Sequence, residues 1–213
     1  MYKLYWAEST GAFVVHAALN ECGAKYELVP LDYDNNEHKK EPYTKINPTG
    51  EIPALILPDG TVLTETVAMT LHLAEAFPDA GLLPPLGTSE RAMAYRWLLY
   101  MATNTYMHDL RYYYPERYTM NEGQADGVKT AGLALMERSL GTLDDALKGQ
   151  SYLAGTQMSI ADTYLGMMSM WHPDGDAYMD KLSNVQRVVN AVKSRPSMTE
   201  VWHLNFPESQ SND

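Results

Sequence analysis

The segment NPTGEIPAL, residues 47–55, places a proline at the start of an apolar strand. Proline is unusual there, because it has no main-chain N–H to donate to a neighbouring strand. A cis peptide bond before Pro53 would make a tight turn and leave the main-chain N–H and C=O of Ile52 open to an extended ligand. An ordinary turn at the edge of a sheet is an equally good interpretation of this segment taken alone.

On both sides of that segment, the first 80 residues alternate between predicted strands and helices. Alternating and apolar stretches predict four strands, at residues 3–6, 26–31, 52–57 and 61–63. Helical spacing predicts two helices, at residues 12–22 and 65–77, whereas residues 37–45 are polar and irregular. A β-α-β beginning followed by a hairpin predicts a small mixed sheet flanked by helices.

The remainder of the chain has helical patterns only. Proline and glycine are frequent over residues 78–89 and indicate a linker, which we place at 81–89. It would separate a first domain, 1–80, from an all-helical domain, 90–213. The helices of that second domain are predicted at residues 90–113, 124–147, 160–171 and 184–193, with a short terminal helix. Ser159 and Asp162 have the spacing of a helix capping box.

Composition excludes several classes of function. The chain has 213 residues, of which 45% are hydrophobic, and a net charge of -11, which argues against binding nucleic acids or anionic membranes. No apolar run is long enough to span a membrane, and the N-terminus does not resemble a secretory signal. A single cysteine and scattered histidines predict neither a disulfide nor a metal site. These features are typical of a cytoplasmic enzyme.

Three motifs, in this order along the chain, resemble motifs of the soluble glutathione transferase superfamily. The segment at residues 47–55 matches the family pattern NPxGxxPAL, the TET of residues 64–66 matches an acid-plus-hydroxyl step before a helix, and the SIAD of residues 159–162 matches S-x-A-D. The resemblance covers nearly the whole chain. It implies a thioredoxin-like α/β domain followed by an all-α domain, a homodimer, and glutathione as co-substrate.

The resemblance also implies which residues bind glutathione. Ile52, before Pro53, would pair its main chain with that of the glutathione cysteine. Glu65 would bind the γ-glutamyl ammonium. Thr66 would bind the γ-glutamyl carboxylate, helped by the helix N-terminus, where an anion is favoured.

Three further residues concern the charge of the ligand. By resemblance to phi-class members, His38 and Lys39 would hold the glycine carboxylate of glutathione; a solvated charge pair in a loop is the alternative. Glu51 stands where the family commonly has glutamine. Because glutathione already carries two carboxylates, a further negative charge beside it is expected to weaken binding unless Glu51 points away or meets the ligand's ammonium.

The residue that activates the thiol is expected after the first strand. A thiol with a pKa near 8.5 is mostly protonated at neutral pH, so the family uses a hydrogen-bond donor to hold the sulfur as a thiolate. Thr10 falls on the serine of phi- and theta-like members and is the first candidate, followed by Ser9 and Tyr5. Helix capping is the alternative role for Ser9 and Thr10. Gly11 stands where beta-class members have a cysteine, which excludes mixed-disulfide chemistry at that position.

Aromatic residues of the helical domain are candidates for an electrophile pocket. Tyr106, Tyr113 and Trp171 would line it, with ordinary packing as an equally good interpretation. The leading function is transfer of the glutathione thiolate to a small hydrophobic electrophile. The alternatives are a non-catalytic glutathione-binding or interaction protein, and a specialised lyase, dehalogenase, isomerase or peroxidase that uses glutathione.

Overall fold

The computed structural model describes residues 1–207, apart from the side chain of Glu122. These residues form two compact units. One contains Met1–Leu82 together with residues 193–207, and the other contains Leu83–Val192. The predicted second domain, 90–213, differs from this division, because its C-terminal part packs with the first unit. Positions 208–213 of that prediction lie outside the described residues.

The first unit is built on a four-stranded mixed sheet. The strands are β1 (Tyr2–Trp6), β2 (Tyr26–Pro30), β3 (Ala54–Ile56) and β4 (Val62–Leu63), arranged in the order β2-β1-β3-β4. β1 is parallel to β2 and antiparallel to β3, and β3 is antiparallel to β4. The mixed sheet with a parallel beginning and a terminal hairpin, predicted from the sequence, is confirmed.

Helix α1 (Ala12–Glu21) is the centre of this unit. All its residues from Ala12 to Leu19 are buried. A helix that is buried on every side needs partners on every side, and α1 packs against β1, against α3 (Thr66–Ala76) and against the C-terminal helix α10 (Thr199–Asn205). The ring of Phe13 contacts the rings of Trp202 and Phe206, with centroids 5.2 and 5.0 Å away. The C-terminal segment is therefore part of the core of the first unit. A short helix, α2 (Tyr43–Ile46), precedes β3.

The second unit is helical, as predicted, but its first helix is interrupted. Helices α4 (Ser89–Tyr100) and α5 (Tyr106–Tyr113) are joined by a π-helical turn, Met101–Thr105, where a continuous helix was expected. Thr103 donates a hydrogen bond to the Leu99 carbonyl (2.8 Å) and Asn104 to the Tyr100 carbonyl (3.2 Å). Side chains that bond to preceding carbonyls favour such local changes of helical pitch. Sequence periodicity does not reveal a one-turn change of this kind.

Four more helices follow: α6 (Ala125–Ala146), α7 (Ile160–Ser169), α8 (Asp176–Met179) and α9 (Ser183–Lys193). Only α8 was not predicted, because four residues are too few for a periodic pattern. The predicted capping box at the start of α7 is confirmed. The Asp162 carboxylate accepts from the Ser159 N–H (2.8 Å) and also from the Leu153 N–H (2.9 Å). Among the described residues, no helix combines the length and apolarity needed to cross a membrane.

Candidate glutathione site

The turn before β3 follows the cis-proline interpretation of its sequence rather than that of an ordinary edge turn. The Ile52–Pro53 peptide bond is cis, and β3 begins one residue later, at Ala54. The pairing of β1 with β3 ends at Tyr5 and Ala54. Within residues 1–207, the main chain of Ile52 makes no hydrogen bond. Its N–H and C=O are therefore open to an extended ligand.

Two buried side chains hold the peptide group that precedes Ile52. The Tyr43 hydroxyl and the Asn47 amide both donate to the Glu51 main-chain oxygen, at 2.5 and 2.8 Å. Burial raises the pKa of Tyr43 to about 12, so this hydroxyl keeps its proton at neutral pH. The Asn47 side-chain oxygen accepts from the N–H and hydroxyl of Thr49, which fixes the orientation of the amide. The direction in which Ile52 presents its main chain is thereby set before any ligand binds.

Glu51 is paired with a cation. Its carboxylate lies 3.0 Å from the Lys39 ammonium, and both side chains are partly exposed. Gly50 makes room for this contact, because a Cβ at its position would lie 2.9 Å from the Lys39 Cδ and 3.0 Å from the His38 carbonyl oxygen. Its φ of +61° also favours glycine. The sequence predicted a negative charge, that of Glu51, beside a ligand with two carboxylates. In the structure this charge is balanced by the Lys39 ammonium.

His38 and Lys39, expected to act as a pair, have different environments. The His38 ring is buried and stacks on the Tyr33 ring, with centroids 4.4 Å apart and planes 2° from parallel. Lys39 reaches the surface and meets Glu51. Of the two, Lys39 has the more accessible charge.

The N-terminus of α3 carries the other two expected ligand-binding residues. Glu65 is exposed, has a φ of +67°, and makes no ion pair within residues 1–207. A non-glycine residue at positive φ is uncommon and is often found at functional sites. The Thr66 hydroxyl donates to the Gly11 carbonyl oxygen at 3.3 Å, which links α3 to the loop between β1 and α1.

The loop between β1 and α1 contains the candidate thiol-activating hydroxyls. Thr10 donates to the Ala7 carbonyl oxygen (2.7 Å) and accepts from the Ala12 N–H (3.3 Å), so its hydroxyl already braces the loop and the start of α1. The Ser9 side chain is exposed, and within residues 1–207 its hydroxyl has no hydrogen-bond partner. Ser9 has a φ of +51°, and its N–H donates to the Asn205 main-chain oxygen at 2.9 Å.

Tyr5 belongs to the strand rather than to the loop. It lies in β1 opposite Ala54, and its ring packs on the Tyr43 ring with centroids 5.5 Å apart. It is partly buried against the cluster that also contains Leu31. Its surroundings are those of a packing residue beside the site.

A cleft of about 320 Å³ adjoins the loop. It is lined by the last residues of β1 and β2 and by residues that follow these strands, including Trp6, Glu8, Tyr33 and Asp34. The first unit therefore has space for a ligand group beside Ala7 and Glu8, at the start of that loop, whereas Ser9 and Thr10 are not among the residues that line the cleft.

The aromatic residues expected in the electrophile pocket do lie together in the second unit. The Tyr106 and Trp171 rings meet edge to face with centroids 5.1 Å apart, and the Tyr113 hydroxyl donates to the Trp171 carbonyl oxygen at 2.8 Å. A cleft of about 350 Å³ in the same unit lies elsewhere, along α4 and residues 150–155, and these three aromatic residues are not among those that line it.

Asp109 is a buried carboxyl in this aromatic region that sequence reasoning missed. It lies on α5 between Tyr106 and Tyr113, is 7% exposed, and its Oδ1 has no hydrogen-bond partner in the part of the chain that the structure describes. Burial raises the pKa of Asp109 to about 8. The hydroxyl of Thr105, one turn earlier, is also buried without a partner there. The only signal in the sequence is the i, i+3 and i, i+4 spacing to the two tyrosines.

Two family models match the chain. The model of the glutathione S-transferase N-terminal domain matches residues 1–75, and a model of the glutathione S-transferase C-terminal domain matches residues 108–201. The first match contains β1 to α3 and the open turn at Ile52. The second begins within α5, contains α6 to α9 and ends within α10.

Similar proteins agree with these matches over nearly the full length. The chain is 28% identical over 199 residues to glutathione S-transferase GstA of Escherichia coli O157:H7, with 93% of this chain and 96% of that protein covered. Among solved structures, a glutathione transferase homologue from Sulfitobacter with bound glutathione has a TM-score of 0.88 and 26% identity, covering 95% of this chain and 97% of its own. A sphingomonad glutathione S-transferase complexed with glutathione has a TM-score of 0.79 and 27% identity, covering 93% and 96%. The chain belongs to the glutathione transferase superfamily.

Proposed function

We propose that this protein is a glutathione transferase that joins the glutathione sulfur to a carbon of a small hydrophobic electrophile. The observation that carries the proposal is the open main chain of Ile52 beside a cis proline, fixed in direction by Tyr43 and Asn47. The thiol loses its proton to solvent, the sulfur forms the new C–S bond, and the electron pair of the broken bond leaves with the departing group or moves onto the acceptor. Two similar structures contain glutathione, which supports the same ligand here.

Each charged end of glutathione has a matching partner in the first unit. The peptide-like centre pairs with Ile52. The γ-glutamyl ammonium is bound by the unpaired carboxylate of Glu65, and the γ-glutamyl carboxylate by Thr66 at the start of α3. The glycine carboxylate meets Lys39, which then shares its charge between the ligand and Glu51. His38 supports this part of the site from within the core.

The thiolate is held in the loop between β1 and α1. Ser9 is the hydroxyl best able to donate to the sulfur, because Thr10 already donates to Ala7. Thr10 could donate to the sulfur only by breaking its hydrogen bond to Ala7. A thiolate would favour this exchange, because a charged sulfur is a stronger acceptor than a carbonyl oxygen. Both residues lie just before α1, whose N-terminus also stabilises an anion. Tyr5 has a packing role.

The aromatic cluster of the second unit, Tyr106, Tyr113 and Trp171, binds the electrophile. Ring edges and faces offer apolar contact to a flat hydrophobic molecule. The proposed reaction is therefore conjugation. The protein is further proposed to be a homodimer and to act in the cytoplasm.

Calorimetry with glutathione and with S-methylglutathione tests binding, and a panel of aromatic halides, enones and epoxides tests transfer. Micromolar to millimolar binding with measurable turnover is expected. Binding of both ligands without turnover, and with an unshifted thiol pKa, would favour the non-catalytic alternative, for which the engaged Thr10 hydroxyl is the supporting observation. No binding at all by the folded protein contradicts the proposal.

A further inference from the structure

Asn205, the last residue of α10, is a polar residue with no exposure to solvent. A buried amide is costly unless it is hydrogen-bonded. Its amide nitrogen lies 2.7 Å from the Val201 carbonyl oxygen and 3.0 Å from the His16 Nδ1 on α1, whereas its Oδ1 is buried without a hydrogen-bond partner among residues 1–207. The contact with His16 joins α10 to α1 through two residues that are 189 positions apart in the sequence.

The partners determine how both side chains are oriented. The Val201 carbonyl can only accept, so the Asn205 nitrogen, rather than its oxygen, faces it. The same nitrogen reaches His16, whose Nδ1 must then accept and whose Nε2–H points to the Tyr26 hydroxyl at 3.2 Å. Burial lowers the pKa of His16 to about 4, which keeps the ring neutral and able to accept.

The anchored end of α10 meets the loop between β1 and α1. The Asn205 main-chain oxygen accepts from the Ser9 N–H at 2.9 Å, at the point where Ser9 has a φ of +51°. A serine at positive φ needs support from its surroundings. Within residues 1–207, this is the hydrogen bond by which the C-terminal segment holds the main chain of Ser9. The other end of the loop is held by Thr66 of α3, which donates to the Gly11 carbonyl oxygen.

We propose that Asn205 is a positioning residue for the glutathione sulfur: held by His16, it fixes the Ser9 main chain and thereby the hydroxyls of Ser9 and Thr10. The inference rests on the proposed glutathione function. It assigns to the C-terminal helix a role in the chemistry of the first unit. The peptide-like part of glutathione is bound by other residues, so Asn205 acts on the thiol and leaves the affinity for the rest of the ligand unchanged.

The test compares Asn205→Leu with His203→Ala, an exposed neighbour on the same helix. Three quantities are measured on the full chain: the affinity for S-methylglutathione, the pKa of the bound glutathione thiol from its thiolate absorbance, and kcat and KM over a range of pH. For Asn205→Leu we expect a higher thiol pKa, a kcat at neutral pH lowered by about tenfold and partly restored at higher pH, and affinity and KM within about twofold. His203→Ala should match the wild type in all three.

His16 provides a second pair of variants, which is informative even if Asn205→Leu does not fold. His16→Gln retains a side-chain oxygen that can accept from the Asn205 amide, whereas His16→Leu does not. We expect His16→Gln to keep most of the thiol activation that His16→Leu loses. Equal thiol pKa values in the two His16 variants and the wild type would overturn the proposal.

Amide hydrogen exchange of the peptide that contains Ser9 separates this inference from the proposed function. Faster exchange in Asn205→Leu than in His203→Ala is expected whether or not the protein is a transferase. Unchanged exchange at Ser9 contradicts the positioning role. Failure of the wild type to bind S-methylglutathione contradicts the proposed function, and the exchange result then still decides whether Asn205 holds the loop.

Discussion

The turn at Glu51 and the aromatic cluster treat their buried polar groups in opposite ways. In the first unit, Tyr43 and Asn47 are buried and fully engaged, both donating to the Glu51 main-chain oxygen. In the second unit, Asp109 Oδ1, Thr105 Oγ1 and the Trp171 indole nitrogen are buried without partners among the described residues. A paired network holds one geometry, whereas unpaired buried groups weaken the fold where they lie. The difference indicates that the first region is built for one fixed ligand shape and that the second carries unused hydrogen-bonding capacity.

The largest expected effect is the pH dependence contributed by Asp109. Its folded-state pKa of about 8 lies above the ordinary value of 3.8, so between these pH values the folded protein holds a proton that the unfolded chain has released. The stability is therefore greatest at low pH and falls as pH rises towards 8. One pKa unit corresponds to about 1.4 kcal/mol, so the total change is expected to be a few kcal/mol.

Asp109→Asn tests this expectation because it removes the titrating group and keeps the shape. The free energy of unfolding of the variant minus that of the wild type, measured in urea from pH 5 to pH 9, should increase with pH. Glu116→Gln, at an exposed carboxylate that follows α5, is the control and should show no comparable trend. A difference for Asp109→Asn that does not change with pH would show that its carboxyl is not desolvated as the structure indicates.

The hydrogen bonds that hold the turn at Glu51 should be disrupted when the Asn47 side chain is removed. Asn47→Ala takes a donor from the Glu51 oxygen and an acceptor from Thr49, and is expected to lower the free energy of unfolding by about 2–3 kcal/mol. The affinity for S-methylglutathione should fall as well, because Ile52 is no longer held in one direction. Calorimetry measures both. Thr49→Ala, which leaves the bond from Asn47 to Glu51 in place, is the matched control and should keep the affinity.

The next prediction compares the effects of the Ser9 and Thr10 hydroxyls on the bound thiol. If Ser9 donates to the sulfur, Ser9→Ala should raise the pKa of the bound thiol by about one to two units and lower turnover at neutral pH, with partial recovery at higher pH. Thr10→Ala removes the brace to Ala7 and should mainly lower the thermal stability. Stopped-flow kinetics over a range of pH distinguishes the roles. The reverse result, with thiol activation lost in Thr10→Ala and retained in Ser9→Ala and Tyr5→Phe, would assign the donor to Thr10.

The smallest effect is expected at the ion pair of Lys39 and Glu51, since partly exposed pairs contribute about 0–1 kcal/mol. Glu51→Gln frees Lys39 for the ligand's glycine carboxylate, so the affinity for glutathione should increase by about two- to fivefold at low salt. The gain should shrink as salt screens the charges. Glu41→Gln, which breaks the exposed pair with Lys45, is the control. A loss of affinity in Glu51→Gln would mean that the Glu51 carboxylate itself binds the ligand.

Motifs that act through neighbouring residues could be predicted from the sequence. The cis bond before Pro53, the hairpin after β3 and the capping box of Ser159 and Asp162 each depend on residues within a few positions of one another. The mixed sheet followed from the order of its strands. The three aromatic residues of the second unit were expected together and do lie together.

Only the tertiary structure decided which polar groups are paired and which are open. The sequence placed a negative charge at Glu51. Its ion pair with Lys39 depends on the fold, because the Lys39 side chain passes over Gly50, where a Cβ would leave no room. The sequence offered Thr10 as the first candidate hydroxyl and Ser9 as the second, whereas the fold engages the Thr10 hydroxyl and leaves Ser9 exposed. Asn205 gave no local signal, because its partners outside its own helix, His16 and Ser9, lie almost the whole length of the chain away. Local patterns determine elements, whereas hydrogen-bond partners are set by where those elements meet.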